Sequence, residues 1–342
     1  MRAVRRAMRA AVYHAPGDVR IEELERPEPG PGEVLVEMRA CGICGSDLLD
    51  WYIEPRAPVV LGHEPVGVVV ETGGPLDGPL PEVGSRVFAH HHVPCQRCER
   101  CRGGHETLCE TFKQTRIHPG GFSEYILVPA PNVALDVLPV PAVVGDAAAT
   151  AIEPLACAVR GQRRARISAD TRVLVVGGGQ IGLLNAQAAL ASGAEVTVAE
   201  PLPGRRALAG RLGARPVQPD AAAVLDALGA RPTVALLCTG ADAAWALALE
   251  TIDAGGIVQL FAPASPGATR SFSANELFFR EIEIQASYSA GPSDTRAALE
   301  LIEAGAVRPE ELVTHRFALE ETAEALEAAR RREAVKAIVT PV

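Results

Sequence analysis

Up to about Ala142 the chain alternates short apolar runs with Pro/Gly turns, as in Glu33-Val-Leu-Val-Glu-Met, Val66-Gly-Val-Val-Val-Glu and Arg86-Val-Phe-Ala. Such runs predict short strands, and their frequent interruption predicts a β-rich, partly barrel-like domain. From about Gly145 the pattern changes. An Ala-rich helical stretch leads into the apolar Arg172-Val-Leu-Val-Val, and further strands are predicted at Glu195-Val-Thr-Val-Ala, Thr233-Val-Ala-Leu-Leu, Ile257-Val-Gln-Leu and Glu281-Ile-Glu-Ile-Gln. Helix-forming segments such as 183–191 and 221–230 separate them. Alternation of buried strands with Ala/Leu helices is the pattern of an α/β doubly wound parallel sheet. A polar helix over 294–304 and a closing Ala337-Ile-Val-Thr follow, the latter returning to the first domain. The expected division is therefore 1–145 (β-rich), 146–286 (α/β) and a C-terminal segment 287–342, with no repeat or low-complexity stretch.

Composition narrows what these domains do. At 342 residues the chain is long enough for two cores, and 48% hydrophobic with 22% charged residues suits a globular protein. The net charge of −9, without blocks of like charge, argues against a nucleic-acid surface. No apolar run reaches the roughly 18 residues of a membrane span. Met1-Arg-Ala-Val-Arg-Arg is basic but leads into no apolar signal core, and Met8 is an alternative start ahead of Arg9-Ala-Ala-Val-Tyr. A cytoplasmic protein acting on small molecules is expected. Lys113 and Lys336 are its only lysines.

Cys95, Cys98, Cys101 and Cys109 crowd four thiols into one short segment, the spacing of a closed, structural zinc site. Disulfides would not persist in a reducing cytosol, and the absence of other cluster-type Cys groups argues against an iron–sulfur cluster, although the spacing of the first three thiols alone does not exclude one. Gly177-Gly-Gly179-Gln180-Ile181-Gly182 follows directly on a predicted strand and opens a helix, the context of a dinucleotide phosphate cradle. Glu200 ends the next strand, where a carboxylate accepts from a ribose 2′-hydroxyl and so favours NAD over NADP. Arg205 and Arg206 stand close by and offer an adenine-stacking or phosphate-binding cation, or merely a solvated helix start; Thr239-Gly240 marks another strand end at the same crevice. A further group comprises Cys41-Gly-Ile-Cys44-Gly-Ser46-Asp47 and Gly62-His63-Glu64, whose thiolate, imidazole and carboxylate together suit an open zinc site. Glu153 interrupts the apolar stretch 147–159, and a buried carboxylate there wants a metal or a cation.

These segments, together with Gly120-Gly-Phe-Ser-Glu-Tyr, Glu153-Pro-Leu and Val313-Thr-His-Arg-Phe, resemble the zinc-containing medium-chain dehydrogenases, most closely the sorbitol (polyol) and threonine dehydrogenase branch. The resemblance runs in order from about Met8 to the end. It implies a GroES-like catalytic domain, a Rossmann coenzyme domain and a homodimer or homotetramer. It also implies a catalytic zinc on Cys44, His63 and Glu64, with Glu153 direct or through water, and a structural zinc on the tetrad. Within that reading zinc polarises the substrate oxygen and Ser46 takes the hydroxyl proton, while Leu49 replaces a His that many relatives use to pass it on. The stretch Ala286-Ser287-Tyr288 keeps a Tyr but lacks the Arg that precedes it in sorbitol-type relatives, which counts against sorbitol itself. His92 resembles a His near the active site of threonine dehydrogenases, or is simply a polar strand end. Trp51 and Tyr52 either wall the pocket or pack, and Cys41, Cys157 and Cys238 are expected to be small buried residues.

The function expected is reversible hydride transfer between NAD and the secondary alcohol of a polyol, sugar derivative or hydroxy amino acid. A primary-alcohol or aldehyde reductase using NADPH, and a non-catalytic zinc/NAD-binding sensor, are the alternatives.

Overall fold

A computed structural model describes residues 7–74 and 80–341, so the basic start at Met1 lies outside the described residues. The chain divides into two units. The first holds the chain through Glu153 together with Ala290–Glu303 and the residues from Pro309 on; the second holds Pro154–Ser289 and Ala304–Arg308.

In the first unit, the strand Val34–Gly42 pairs antiparallel with Glu64–Thr72, Tyr125–Val128 and Lys336–Thr340. Arg86–Ala89 pairs with Glu64–Thr72 and carries Val137–Pro139 on its other edge. Lys336–Thr340 in turn pairs in parallel with Val313–Ala318, so the C-terminal segment completes this sheet. A smaller sheet joins Ala7–Ala15 to Asp18–Glu25 and Val59–Val60. Met38, Ile126, Phe122 and Val339 fill the core between these strands. The strands Asp18–Glu25 and Val313–Ala318 escape a reading by apolar runs because they are half exposed and largely charged or polar.

The second unit is a six-stranded parallel sheet. Its order across the sheet is Arg215–Val217, Glu195–Ala199, Arg172–Val176, Val234–Leu237, Ile257–Leu260, Glu283–Ala286. Counted along the chain this is 3-2-1-4-5-6, the order in which a switch point opens at the carboxyl ends of strands one and four. The edge strand Arg215–Val217 contains Pro216, which an edge tolerates because no further strand needs its missing N–H. At the other edge the strand starts at Glu283 rather than Glu281, because Glu281 takes a left-handed conformation (φ 50°) that ends the helix Ala274–Arg280.

The change of unit falls at Glu153–Pro154 instead of 145, and the return at Ser289–Ala290 instead of 286. The helix Asp146–Ala149 is Ala-rich like those that follow, yet it packs on the strands Val34–Gly42 and Glu64–Thr72 of the first unit. Composition changes there before the chain leaves.

Candidate active site and metal centres

Three neighbouring strands of the first sheet end side by side. Gly42, at the end of its strand, pairs with Glu64 at the start of the next, and Phe88 with Val66 brings the end of Arg86–Ala89 alongside. Cys44, His63 and His90 therefore leave the sheet within reach of one another. Ligand atoms of Cys44, His63 and Glu64 lie within 4.8 Å of one another. Glu153, at the start of the helix Ile152–Arg164, falls in a neighbouring group with His90 and His91 under the same limit. The expected fourth ligand thus stands beside the first three, with two histidines of its own.

Asp47 orients this centre. One carboxylate oxygen accepts from the Cys44 backbone N–H at 3.0 Å, and the other lies 3.3 Å from His63 Nδ1. A carboxylate on Nδ1 leaves Nε2 to face a metal. Burial lowers the His63 pKa, but the charges of Asp47 and Cys44 outweigh it and hold the ring well above its ordinary value. Ser46 sits in the turn Gly45–Leu48 with Oγ 3.4 Å from His63 Nε2.

Glu64 is completely buried, and Lys336 Nζ donates both to Glu64 Oε2 and, at 3.0 Å, to the carbonyl of Ile43. Burial raises the Glu64 pKa above the usual carboxylate range while Lys336 opposes that rise. Gly42 leaves the room for this pair: a Cβ there would collide with Glu64 Oε2 and Lys336 Nζ. Glu64 Oε1 remains buried without a hydrogen-bond partner, so the donor set has a lone pair to give and fits a zinc ion held by Cys44, His63 and a carboxylate. Lys336 was missed in the sequence, although a lone lysine opening the apolar run Lys336-Ala-Ile-Val was the available signal.

The tetrad converges as expected. Ligand sulfurs of Cys95, Cys98, Cys101 and Cys109 lie within 4.8 Å of one another. Sγ separations of 3.5 Å (Cys98–Cys101) and 4.0 Å (Cys95–Cys101) bracket the roughly 3.8 Å expected for tetrahedral thiolates about 2.3 Å from zinc. All eight cysteines are free of disulfides. Burial opposes the Cys109 thiolate, but backbone N–H groups of Cys95 and Phe112 bring its pKa down to about 6. A thiol so placed gives up its proton readily to a metal. Cys41 is buried as expected, whereas Cys157 and Cys238 are only half-buried.

In the second unit the glycines do what their spacing requires. Gly177 has φ 104°, and a Cβ on Gly182 would strike the Gly177 carbonyl. The helix Gln180–Ala191 begins at Gly179 with no side chain capping it, which leaves its first N–H groups open to an anion. Gln180 and the half-buried Ile181 form that first turn. Glu200 is buried beside it, accepting from Gly178 N at 2.7 Å and Leu202 N at 2.9 Å. Arg205 reaches the same turn, since a Cβ on Gly179 would lie 3.6 Å from its Nη1. Arg206 instead donates to the carbonyls of Glu200 and Pro201. Thr239 stands against Gly177 from the neighbouring strand end. The arrangement fits a dinucleotide.

The remaining aromatic and imidazole expectations divide. Trp51 and Tyr52 are exposed rather than packed, with the Arg56 guanidinium 4.2 Å above the Tyr52 ring. His92 is buried and its Nδ1 meets the Thr115 carbonyl.

Comparison with known proteins gives the same picture. Residues 30–142 match the alcohol dehydrogenase GroES-like domain and residues 181–304 the zinc-binding dehydrogenase domain. L-galactonate-5-dehydrogenase of Escherichia coli (strain K12) is 32% identical, over 97% of this chain and 99% of that protein. The chain belongs to the zinc-containing medium-chain dehydrogenases. Sorbitol dehydrogenase of Ovis aries is 32% identical over 96% of this chain and 95% of its own. L-threonine 3-dehydrogenase of Chelativorans sp. (strain BNC1) is 30% identical over 93% and 94%. These place this medium-chain dehydrogenase in the polyol and threonine branch. Among solved structures, a zinc-binding dehydrogenase of Sinorhizobium meliloti 1021 bound to NADP superposes with a TM-score of 0.87 at 29% identity, covering 98% of this chain and 100% of that one. An alcohol dehydrogenase of E. coli CFT073 complexed with NADH gives 0.86 at 27%, covering 98% and 99%. A zinc-dependent oxidoreductase of alcohols using a nicotinamide coenzyme follows from family and fold together.

Proposed function

We propose that this dehydrogenase interconverts the secondary alcohol of a polyol, sugar derivative or hydroxy amino acid with its ketone, using NAD. The convergence of Cys44, His63 and Glu64, braced by Asp47 and Lys336, carries the reading. A zinc ion there supplies Lewis-acid polarisation of the substrate oxygen. The protein's own part is to hold and deprotonate the substrate. Ser46 Oγ, beside the His63 ring, accepts the hydroxyl proton as it releases its own to water, since Leu49 offers no titratable successor. Asp47 keeps His63 in one tautomer, and Glu64 contributes a carboxylate at the metal position. Cys44→Ala should abolish NAD reduction with an unchanged far-UV circular dichroism spectrum; full retained turnover overturns the assignment.

The two backbone N–H groups that hold Glu200 leave its remaining lone pairs to accept ribose hydroxyls, which supports NAD. Arg205 at the same turn favours the second reading, an NADPH-dependent reductase of aldehydes. A spectrophotometric screen of alcohols, polyols and amino alcohols with each coenzyme separates the two. A homodimer or homotetramer in the cytoplasm completes the proposal. Phe278 and Phe279 are about three-quarters exposed, and among the described residues the edge strand Glu283–Ala286 pairs on one side only. No helix among the described residues is long and apolar enough to cross a membrane.

A further inference from the structure

The group beside the first metal centre has features that alcohol oxidation does not use. His90 follows the strand Arg86–Ala89 and is completely buried. Its Nδ1 lies 2.8 Å from Asp136 Oδ2, and the other oxygen of Asp136 accepts from the Thr295 hydroxyl at 2.6 Å. The backbone is pinned as well, since His90 N donates to the Asp136 carbonyl at 3.1 Å and the His90 carbonyl accepts from Asn132 Nδ2 at 2.8 Å. The carboxylate fixes the proton on Nδ1, so Nε2 carries a lone pair, yet that atom is buried and has no hydrogen-bond partner. His91 Nδ1 is likewise buried and without a hydrogen-bond partner. Two buried, unsatisfied imidazole nitrogens side by side need an explanation. Glu153 supplies one, because its carboxylate and both rings offer ligand atoms within 4.8 Å of one another. A carboxylate behind a histidine whose other nitrogen is free is also the support that metal-binding imidazoles ordinarily have.

We propose that His90, His91 and Glu153 hold a divalent metal ion of the zinc class, separate from the Cys44–His63–Glu64 centre and from the cysteine tetrad. Two imidazoles and a carboxylate make a borderline donor set suited to zinc, with a position left for water or substrate. The site adjoins the first centre: the His63 and His91 rings lie 5.0 Å apart, and the Glu153 charge acts on Glu64. The inference stands apart from the choice of substrate or coenzyme.

Metal content tests it on the full chain. After dialysis against excess zinc and removal of loosely bound ion, mass spectrometry should count three zinc ions per chain, one for each group. His90→Gln and His91→Gln should each bring the count to two. Two per chain in the unaltered protein, or three retained in both variants, overturns the proposal. A cobalt titration of the unaltered protein does not depend on either variant folding. Both other groups contain cysteine, so a third cobalt equivalent that adds visible d–d absorption without thiolate-to-cobalt charge transfer supports the site. Saturation at two equivalents, each with charge transfer, overturns it.

Discussion

Glu64 is completely buried, and Lys336 reaches it from the C-terminal strand and opposes the rise in its pKa that burial brings. Lys336→Met removes one partner of a buried pair and should cost about 3–5 kcal/mol of stability, read as a lower urea midpoint, with Lys336→Arg recovering part of it. Asp47 lies against His63 Nδ1, and on the proposed assignment it would act on a metal through that ring. Asp47→Ala should weaken zinc at that centre roughly 10–100-fold, measured by competition with a chromophoric chelator. Glu200 works in the other unit. Its loss in Glu200→Ala should lower the ratio of kcat/KM for NAD over NADP about tenfold or more, and an unchanged ratio would remove Glu200 from coenzyme choice.

At the scale of elements, the segment that carries the tetrad is built from turns too short to be stable alone. Glu99–Arg102 and Glu110–Gln114 are single helical turns, and Cys109, Phe112 and Thr107 are the buried anchors along them. Metal coordination must supply what apolar burial does not. Cys98→Ser should lower the zinc content by one and make this segment the first cut in limited proteolysis. The coenzyme sheet shows the opposite case. Its central strands, apolar over 173–176 and Val234–Leu237, were plain in the sequence, whereas Arg215–Val217 is short, largely exposed and interrupted by a proline. Edge strands carry little hydrophobic signal because solvent, not a neighbouring layer, meets their side chains.

For the whole molecule, the exposed pair Phe278 and Phe279 precedes a strand, Glu283–Ala286, whose outer edge is unpaired among the described residues, and the proposed oligomer would cover such a surface. Replacing both with Glu should shift the mass measured by light scattering toward that of a single chain, while the coenzyme sheet keeps its circular dichroism. The C-terminal residues matter at the same scale. Lys336–Thr340 returns to pair with Val34–Gly42, so Lys336 near the end of the chain meets the buried Glu64 near its beginning.

Local sequence determined the two domain types, the tetrad and the glycine cradle, because each depends on residues close together in the chain and on backbone geometry those residues impose by themselves. Cys44, His63 and Glu64 were legible as a thiolate, an imidazole and a carboxylate in two short motifs, and through the family resemblance those motifs carry. What only the tertiary structure decided is where long-range partners fall. Lys336 under Glu64, Asp136 and Thr295 behind His90, and Glu153 beside two histidines all join residues from distant strands and helices. No local pattern encodes such contacts, since they arise when sheet register brings separate strand ends together.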